Sequence, residues 1–118
     1  MKDILRRLEG VTGVQGALVM GQDGVIVASV PDHADHARTA ALLSAVLLAV
    51  EKNAEQLGLV PLQRLTLATA RGRLLLMPVG ELVLAVLADG TSDLGPALHE
   101  VAGLTRRLLR QSRIEVKG

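Results

Sequence analysis

The chain has 118 residues, 49% of them apolar, and a formal net charge of +1 at neutral pH. That length suits one domain over residues 1–118 and allows about two-thirds of the unfolded surface to be buried, while the apolar content excludes disorder. Phe, Tyr, Trp and Cys are all absent, which excludes base-stacking platforms, aromatic cation cages, disulfides, thiolate metal sites and cysteine nucleophiles, and the small net charge gives no overall pull toward nucleic acid or membrane.

Asp3 to Glu9 reads as a short helix with Ile4, Leu5 and Leu8 on one face, ended by Gly10. Two strands follow, Gly16–Met20 and Val25–Ser29, joined by Gly21-Gln22-Asp23-Gly24. Asp-Gly between apolar runs is a strong hairpin signal, because the turn needs positive φ. Pro31 breaks the second strand, and Asp32 is the expected N-cap of a long helix, with Asp35 in its first turn. That helix runs to about Leu57, with Gly58 as its C′ residue. Leu62–Thr69 alternates and reads as a half-exposed strand. Arg73–Val79 and Leu82–Ala88 are nearly continuous apolar strands, the pattern of sheet interiors covered on both faces. Ser92 or Asp93 caps a last helix, about Leu94 to Gln111, with Leu94, Leu98, Val101, Leu104 or Thr105, and Leu108 facing inward. Arg113–Gly118 reads as a short tail.

The predicted order is α-β-β-α-β-β-β-α. The predicted fold is α+β, an α/β sandwich. A five-stranded antiparallel sheet carries the long helix on one face and the terminal helices on the other. The longest apolar run, Leu74–Ala88, is interrupted by Pro78, Gly80 and Glu81 and falls short of the roughly 20 residues a membrane span needs. The N-terminus MKDILRRLEG has no apolar signal core, and the lack of cysteine fits a reducing compartment. The expected location is cytoplasmic.

Two surfaces look built for partners. The long helix carries one apolar stripe, Ala40, Leu43, Leu47, Val50, Ala54 and Leu57, and a second, Leu42, Val46 and Ala49. A monomer's surface helix needs only the first, so the second is expected to be covered. Strand Leu62–Thr69 alternates where its neighbours do not, which marks a sheet edge open to self-pairing.

Chemistry finds less support. His33 and His36 share a helix face, but only distant His99 is available as a further histidine ligand, and no metal is expected. Arg106, Arg107, Arg110, Arg113 and Lys117 form a basic helix end that could take phosphate or lipid, but no aromatic or amphipathic anchor accompanies the charges, and cations there are the ordinary complement of the helix dipole. No GxxxxGK[ST] or GxSxG motif is present, and Ser44 on its apolar helix suits a bond to its own backbone. The chain reads as a non-enzyme without a cofactor.

Four segments, taken in order, resemble one family. They are VQGALVMGQDGVIVAS, the Ala-rich helix ending Glu51-Lys52-Asn53-Ala54-Glu55-Gln56-Leu57-Gly58, the strand RGRLLLMPVG, and ELVLAVLADGTSDLG. Together they resemble the Roadblock dynein light-chain domains over essentially the whole chain. The resemblance implies a homodimer or heterodimer whose third strands pair into one long sheet, with the long helices side by side. On this chain the seam would use Arg64, Leu65, Thr66 and Leu67 with Leu43 and Leu47. It also implies partnership with a small Ras-like GTPase, here on a face of Leu42, Ala45, Val46, Ala49, Lys52 and Asn53. Some bacterial members stimulate GTP hydrolysis without donating an arginine finger. This chain stops soon after its last helix, without the C-terminal extension some of those members carry, so binding is the expectation. The alternative is a purely structural dimerisation module for a motor or signalling complex. A third reading, a small-molecule pocket at Gly16, Ala17, Ala28 and Ala85, is outweighed by close helix–sheet packing at these small residues.

Overall fold

Five aliphatic runs pair into one antiparallel sheet, and three helices cover it. The computed structural model describes residues 2–32 and 35–117, with side chains as far as Arg110. The elements are α1 (Lys2–Glu9), β1 (Val14–Gly21), β2 (Ile26–Val30), α2 (His36–Gln56), β3 (Leu65–Ala68), β4 (Arg73–Val79), β5 (Leu82–Ala88) and α3 (Gly95–Lys117). In space the strands run β2-β1-β5-β4-β3. The order and the layers are those expected from the sequence.

The first hairpin closes as Asp-Gly chemistry dictates. Gly24 sits at φ +85°, its N–H donates to the Gly21 carbonyl at 3.0 Å, and the Asp23 carboxylate accepts from the Val25 N–H at 3.0 Å. A bulge follows. Val19 pairs with Ala28 but Met20 with Ile26, leaving Val27 unpaired and exposed on β2. Between β4 and β5, Val79 pairs with Leu82 across Gly80-Glu81, and Gly80 has φ +63°. A glycine first in a two-residue turn matches the twist of its strands.

Successive strand residues point to opposite faces, so each strand feeds two cores. On one face Ala17, Val19, Leu75, Leu84 and Val86 pack under Leu5 and Leu8 of α1 and Val101, Leu104 and Leu108 of α3. On the other, Leu18, Met20, Leu76, Val83 and Ala85 pack under Ala40, Leu43 and Leu47 of α2. The uninterrupted apolar spelling of β4 and β5 reflects burial on both sides.

Besides shifts of one or two residues at the ends of β1, β2 and β3, three features differ from the sequence reading. Asp35, rather than Asp32, is the N-cap of α2, accepting from the Arg38 N–H at 3.4 Å. Asp32 instead pairs with Lys2 and lies 3.7 Å from the Arg6 guanidinium, an attraction between segments far apart in the chain. β3 begins at Leu65, so Leu62–Arg64 precede it. Leu62 is half-buried against the α2-side core without joining the ladder. α3 continues to Lys117, so most of the expected tail is helical. Elsewhere the termini behave as read. Gly58 at φ +73° ends α2, with Leu59 N–H on the Ala54 carbonyl and Gly58 N–H on the Glu55 carbonyl, the paired bonds of a Schellman motif. The Asp93 carboxylate accepts from the Gly95 N–H at 2.9 Å where α3 starts.

Candidate partner-binding surface

The candidate surface comprises α2 and the neighbouring edge of the sheet. The N-terminal part of the first apolar stripe of α2 is used inside the protomer, where Ala40, Leu43 and Leu47 are buried; Val50 and Ala54 are half-buried, and Leu57, read as the last residue of that stripe, is instead 73% exposed at the end of the helix. The burial of Leu43 and Leu47 corrects their sequence assignment to a dimer seam. Both side chains face the sheet, and their role is to anchor the helix that carries the surface. The second stripe faces outward. Leu42 is 60% exposed and Val46 41%, Ala49 is exposed with them, and so are Ala41, Ala45 and Leu48 alongside, Leu48 at 57%. The helix places Leu42, Val46, Ala49 and Asn53 along one flank, because residues three and four apart are neighbours.

Polar groups within this face are tied to its own backbone. Ser44 Oγ donates to the Ala41 carbonyl at 3.0 Å, as read from sequence, and Asn53 Nδ2 donates to the Ala49 carbonyl at 2.8 Å. Lys52 is exposed beside them. The β1–β2 turn abuts the helix closely. A Cβ on Gly24 would stand 2.9 Å from Ser44 Oγ and 3.3 Å from the Ala40 carbonyl. Between turn and helix lies a hollow of about 420 Å³, with Asp23, Leu48 and Glu51 in its wall.

At the other side of the sheet, β3 pairs among the described residues only with β4, so its second edge is open. Leu65 and Leu67 lie opposite Leu76 and Leu74, on the α2 side of the sheet. Leu65 is half-buried there, and Leu67 is 51% exposed. Thr66 is exposed on the opposite face. Arg64 is exposed just before the strand and outside the ladder. Sequence reasoning missed the apolar loop leading from α2 into β3, where Leu59 and Val60 are exposed beside Leu57. Its spelling, LGLVPL, carried the signal.

The histidines do not converge. His36 Nε2 meets the Pro31 carbonyl at the start of α2, and His99 stands on α3 across the sheet. His33 lies outside the described residues. Among the described residues no group of three or more His, Cys, Asp or Glu is placed to hold a metal. Among the same residues no helix is long and apolar enough to cross a membrane.

One polar cluster went unread in the sequence. The Asp89 carboxylate accepts from the N–H groups of Thr91 and Ser92 at 3.0 and 2.7 Å and from Ser92 Oγ at 2.8 Å. Arg73 Nε donates to the Asp89 carbonyl at 2.9 Å, and its guanidinium also bonds the Ser92 carbonyl. The bonds from Ser92 and Thr91, with a smaller contribution from Arg73, hold the Asp89 carboxyl below the ordinary carboxylate range. This latch joins the end of β5 to the start of α3 and is structural.

The architecture places these features within a known group. The sequence model of the Roadblock/LC7 domain matches residues 1–88. The chain belongs to the Roadblock/LC7 domain family. A relative, protein MJ0714 of Methanocaldococcus jannaschii, is 33% identical over 93 residues, covering 78% of this chain and 79% of that protein. The crystal structure of a Roadblock/LC7 domain from Streptomyces avermitilis superposes with a TM-score of 0.87 at 19% identity, covering 96% of this chain and 98% of that one. The gliding protein MglB of Thermus thermophilus gives 0.80 at 23% identity, covering 92% and 84%. MglB in a tetrameric arrangement gives the same values. These structural likenesses show the fold. Roadblock/LC7 domains are in general non-enzymatic adaptors and regulators.

Proposed function

We propose that this Roadblock/LC7 protein is a dimeric, non-catalytic regulator that holds a small Ras-like GTPase on its α2 face. The observation that carries the reading is the second apolar stripe of α2. The protomer already anchors the helix through Ala40, Leu43 and Leu47, so hydrophobic packing within it gives no reason for Leu42 and Val46, or for Leu48 beside them, to be apolar. The tetrameric arrangement of MglB supports self-association within this fold.

The dimer follows from the open edge. Antiparallel pairing of two β3 strands about a two-fold axis satisfies both edges. It leaves both α2 helices on the same side of one continuous sheet. Leu65, Thr66 and Leu67 would lie at the seam, with Arg64 at its margin. A stable interface of this kind buries on the order of 1,600 Å². The loop residues Leu57, Leu59 and Val60 would extend it. The GTPase would then rest on Leu42, Ala45, Val46 and Ala49, bordered by Lys52 and Asn53, one GTPase per dimer.

Preference for the GTP-bound form has a physical basis. A GTPase switch segment is ordered by the γ-phosphate and released on hydrolysis. A fixed apolar platform gains contact only with the ordered form, and differential affinity is what lets a binder shift a population. The test is capture of the GTPase, loaded with GDP or with a slowly hydrolysed GTP analogue, by this protein and by Val46→Glu. Stronger capture of the analogue-loaded form, lost in Val46→Glu while light scattering still gives a dimer, is the expected result. Equal capture of both forms removes the regulatory role. Capture of neither leaves the structural dimerisation module.

A further inference from the structure

The α1–α3 side of the sheet carries a feature that this function does not use. Arg7 of α1 and His99, Glu100, Arg106 and Arg107 of α3 line a hollow of about 270 Å³. Gly103 lies in the same wall, within the interior of α3. Three cationic residues and one anionic residue therefore line the hollow. Among the described residues Arg7, Arg106 and Arg107 form no salt bridge.

Gly103 sharpens the point. Glycine destabilises a helix interior more than any residue except proline. A glycine required by close packing looks different, as at Gly16 in β1, where a Cβ would stand 3.1 Å from the Val30 carbonyl. At Gly103 nothing lies within 4 Å of where a Cβ would stand. No neighbouring group of this chain requires the glycine, yet its lack of a side chain deepens the hollow between the arginines.

We propose that this hollow is a binding site for a phosphorylated polyol. The guanidinium fork matches phosphate oxygens and forms charge-assisted hydrogen bonds to them. Three arginines around a small hollow favour a doubly charged phosphate monoester over a single carboxylate. Glu100 would repel an isolated anion, but it accepts from hydroxyl groups, and the His99 ring adds a second hydrogen-bonding group. A phosphate flanked by hydroxyls satisfies both sets of groups. A nucleotide fits less well, because this chain has no aromatic side chain on which a base could stack. The same chemistry occurs in a free sugar or inositol phosphate and in the headgroup of a phosphoinositide.

The experiment titrates the full-length protein by calorimetry with inositol monophosphate and with inorganic phosphate. In parallel it sediments the protein with phosphatidylcholine vesicles, with and without phosphatidylinositol phosphate. Saturable binding of inositol monophosphate, tighter than that of inorganic phosphate, assigns the free polyol phosphate. Sedimentation only with the phosphoinositide vesicles assigns the lipid headgroup. In either arm Arg106→Gln/Arg107→Gln should weaken binding by about tenfold or more, as expected for lost charge-assisted bonds. Glu100→Gln should erase the preference over inorganic phosphate. Gly103→Ala provides the control for folding. It should raise the melting temperature, since alanine favours the helix, while weakening the same binding by narrowing the hollow, and Gly103→Leu should abolish it. Absence of binding in both arms overturns the proposal. So does binding that Arg106→Gln/Arg107→Gln leaves unchanged, or that inorganic phosphate matches.

Discussion

The two helical layers rest on opposite faces of one sheet and are built from helices of similar length, yet their outer surfaces differ. In α3 the apolar residues Ala97, Val101, Leu104 and Leu108 are buried, and arginines face water. In α2 the buried set is Ala40, Leu43 and Leu47, and the outer face is apolar again, with Leu42, Val46 and Leu48. The α3 layer follows the rule for a helix whose other side is solvated. The α2 layer departs from it without any shortage of buried anchors. Packing against the sheet accounts for one face of each helix, and the apolar outer face of α2 is what this packing leaves unexplained.

The largest expected effects test whether the layers are anchored alike. Leu47→Ala under α2 and Leu104→Ala under α3 should each destabilise the protein by about 2–5 kcal/mol in denaturant titration. Leu42→Ala, on the outer face, should change protomer stability by no more than about 0.5 kcal/mol. A large loss at Leu42 under monomeric conditions would mean that the outer stripe is core after all.

The next test separates the two sides of the β3 ladder. Neighbouring residues in a strand send their N–H groups to opposite sides, and proline removes the donor. Of Thr66→Pro and Leu67→Pro, one should break a bond to β4 and lower stability by about 1 kcal/mol or more. The other should leave the protomer intact and reduce light-scattering mass to that of a monomer. Arg64→Pro should do neither to the same degree, because Arg64 lies outside the strand. If neither β3 proline lowers the mass, self-pairing does not run through this edge.

The smallest effects concern how the two long helices begin. Asp35 offers α2 a single cap bond of 3.4 Å, and Asp35→Ala should cost about 0.5 kcal/mol, the low end for a cap. Asp89 fastens the turn before α3 with three bonds. Its folded pKa is lowered, so its contribution is fully present above the unfolded value near about 3.9 and is lost as pH falls through the lower folded value. Asp89→Asn should therefore lower the melting temperature at neutral pH. The gap from the parent protein should close on acidification below that range. A gap independent of pH would assign the effect to shape rather than charge.

Much of the architecture was legible because its signals are local. Asp23-Gly24 marked the first turn, Gly58 ended α2, and the unbroken spelling of Arg73–Val79 and Leu82–Ala88 announced strands covered twice. What escaped depends on partners distant in sequence. Asp32 satisfies every local criterion for a cap, but Lys2 and Arg6 from α1 engage it. Alternation in Leu62–Arg64 reports which side faces the core and says nothing about ladder pairing. The surface was legible as a helix with two apolar stripes. Leu43 and Leu47 belong to the first of these, the stripe a sheet-packed helix needs, so their burial under the sheet rather than at a seam follows from periodicity itself. Arg73, Asp89 and Ser92 meet only once β4 and β5 are paired. The hollow around Gly103 needs α1 and α3 to be side by side.

The strand order also governs how the molecule comes into being. β1 lies between β2 and β5, and its ladder joins Val14 to Ala88. The β1–β2 hairpin leaves the ribosome early with one edge of β1 bare, and its partner strand is made only after α2, β3 and β4. Closing that long loop is the entropic bottleneck, and topologies dominated by distant contacts fold slowly. The β3–β4–β5 meander, whose neighbours are adjacent in sequence, can assemble first and offer β5 as a template. During synthesis the nascent β1 edge is thus the segment most exposed to mispairing with other chains, and chaperone contact should concentrate there until Ala88 has emerged.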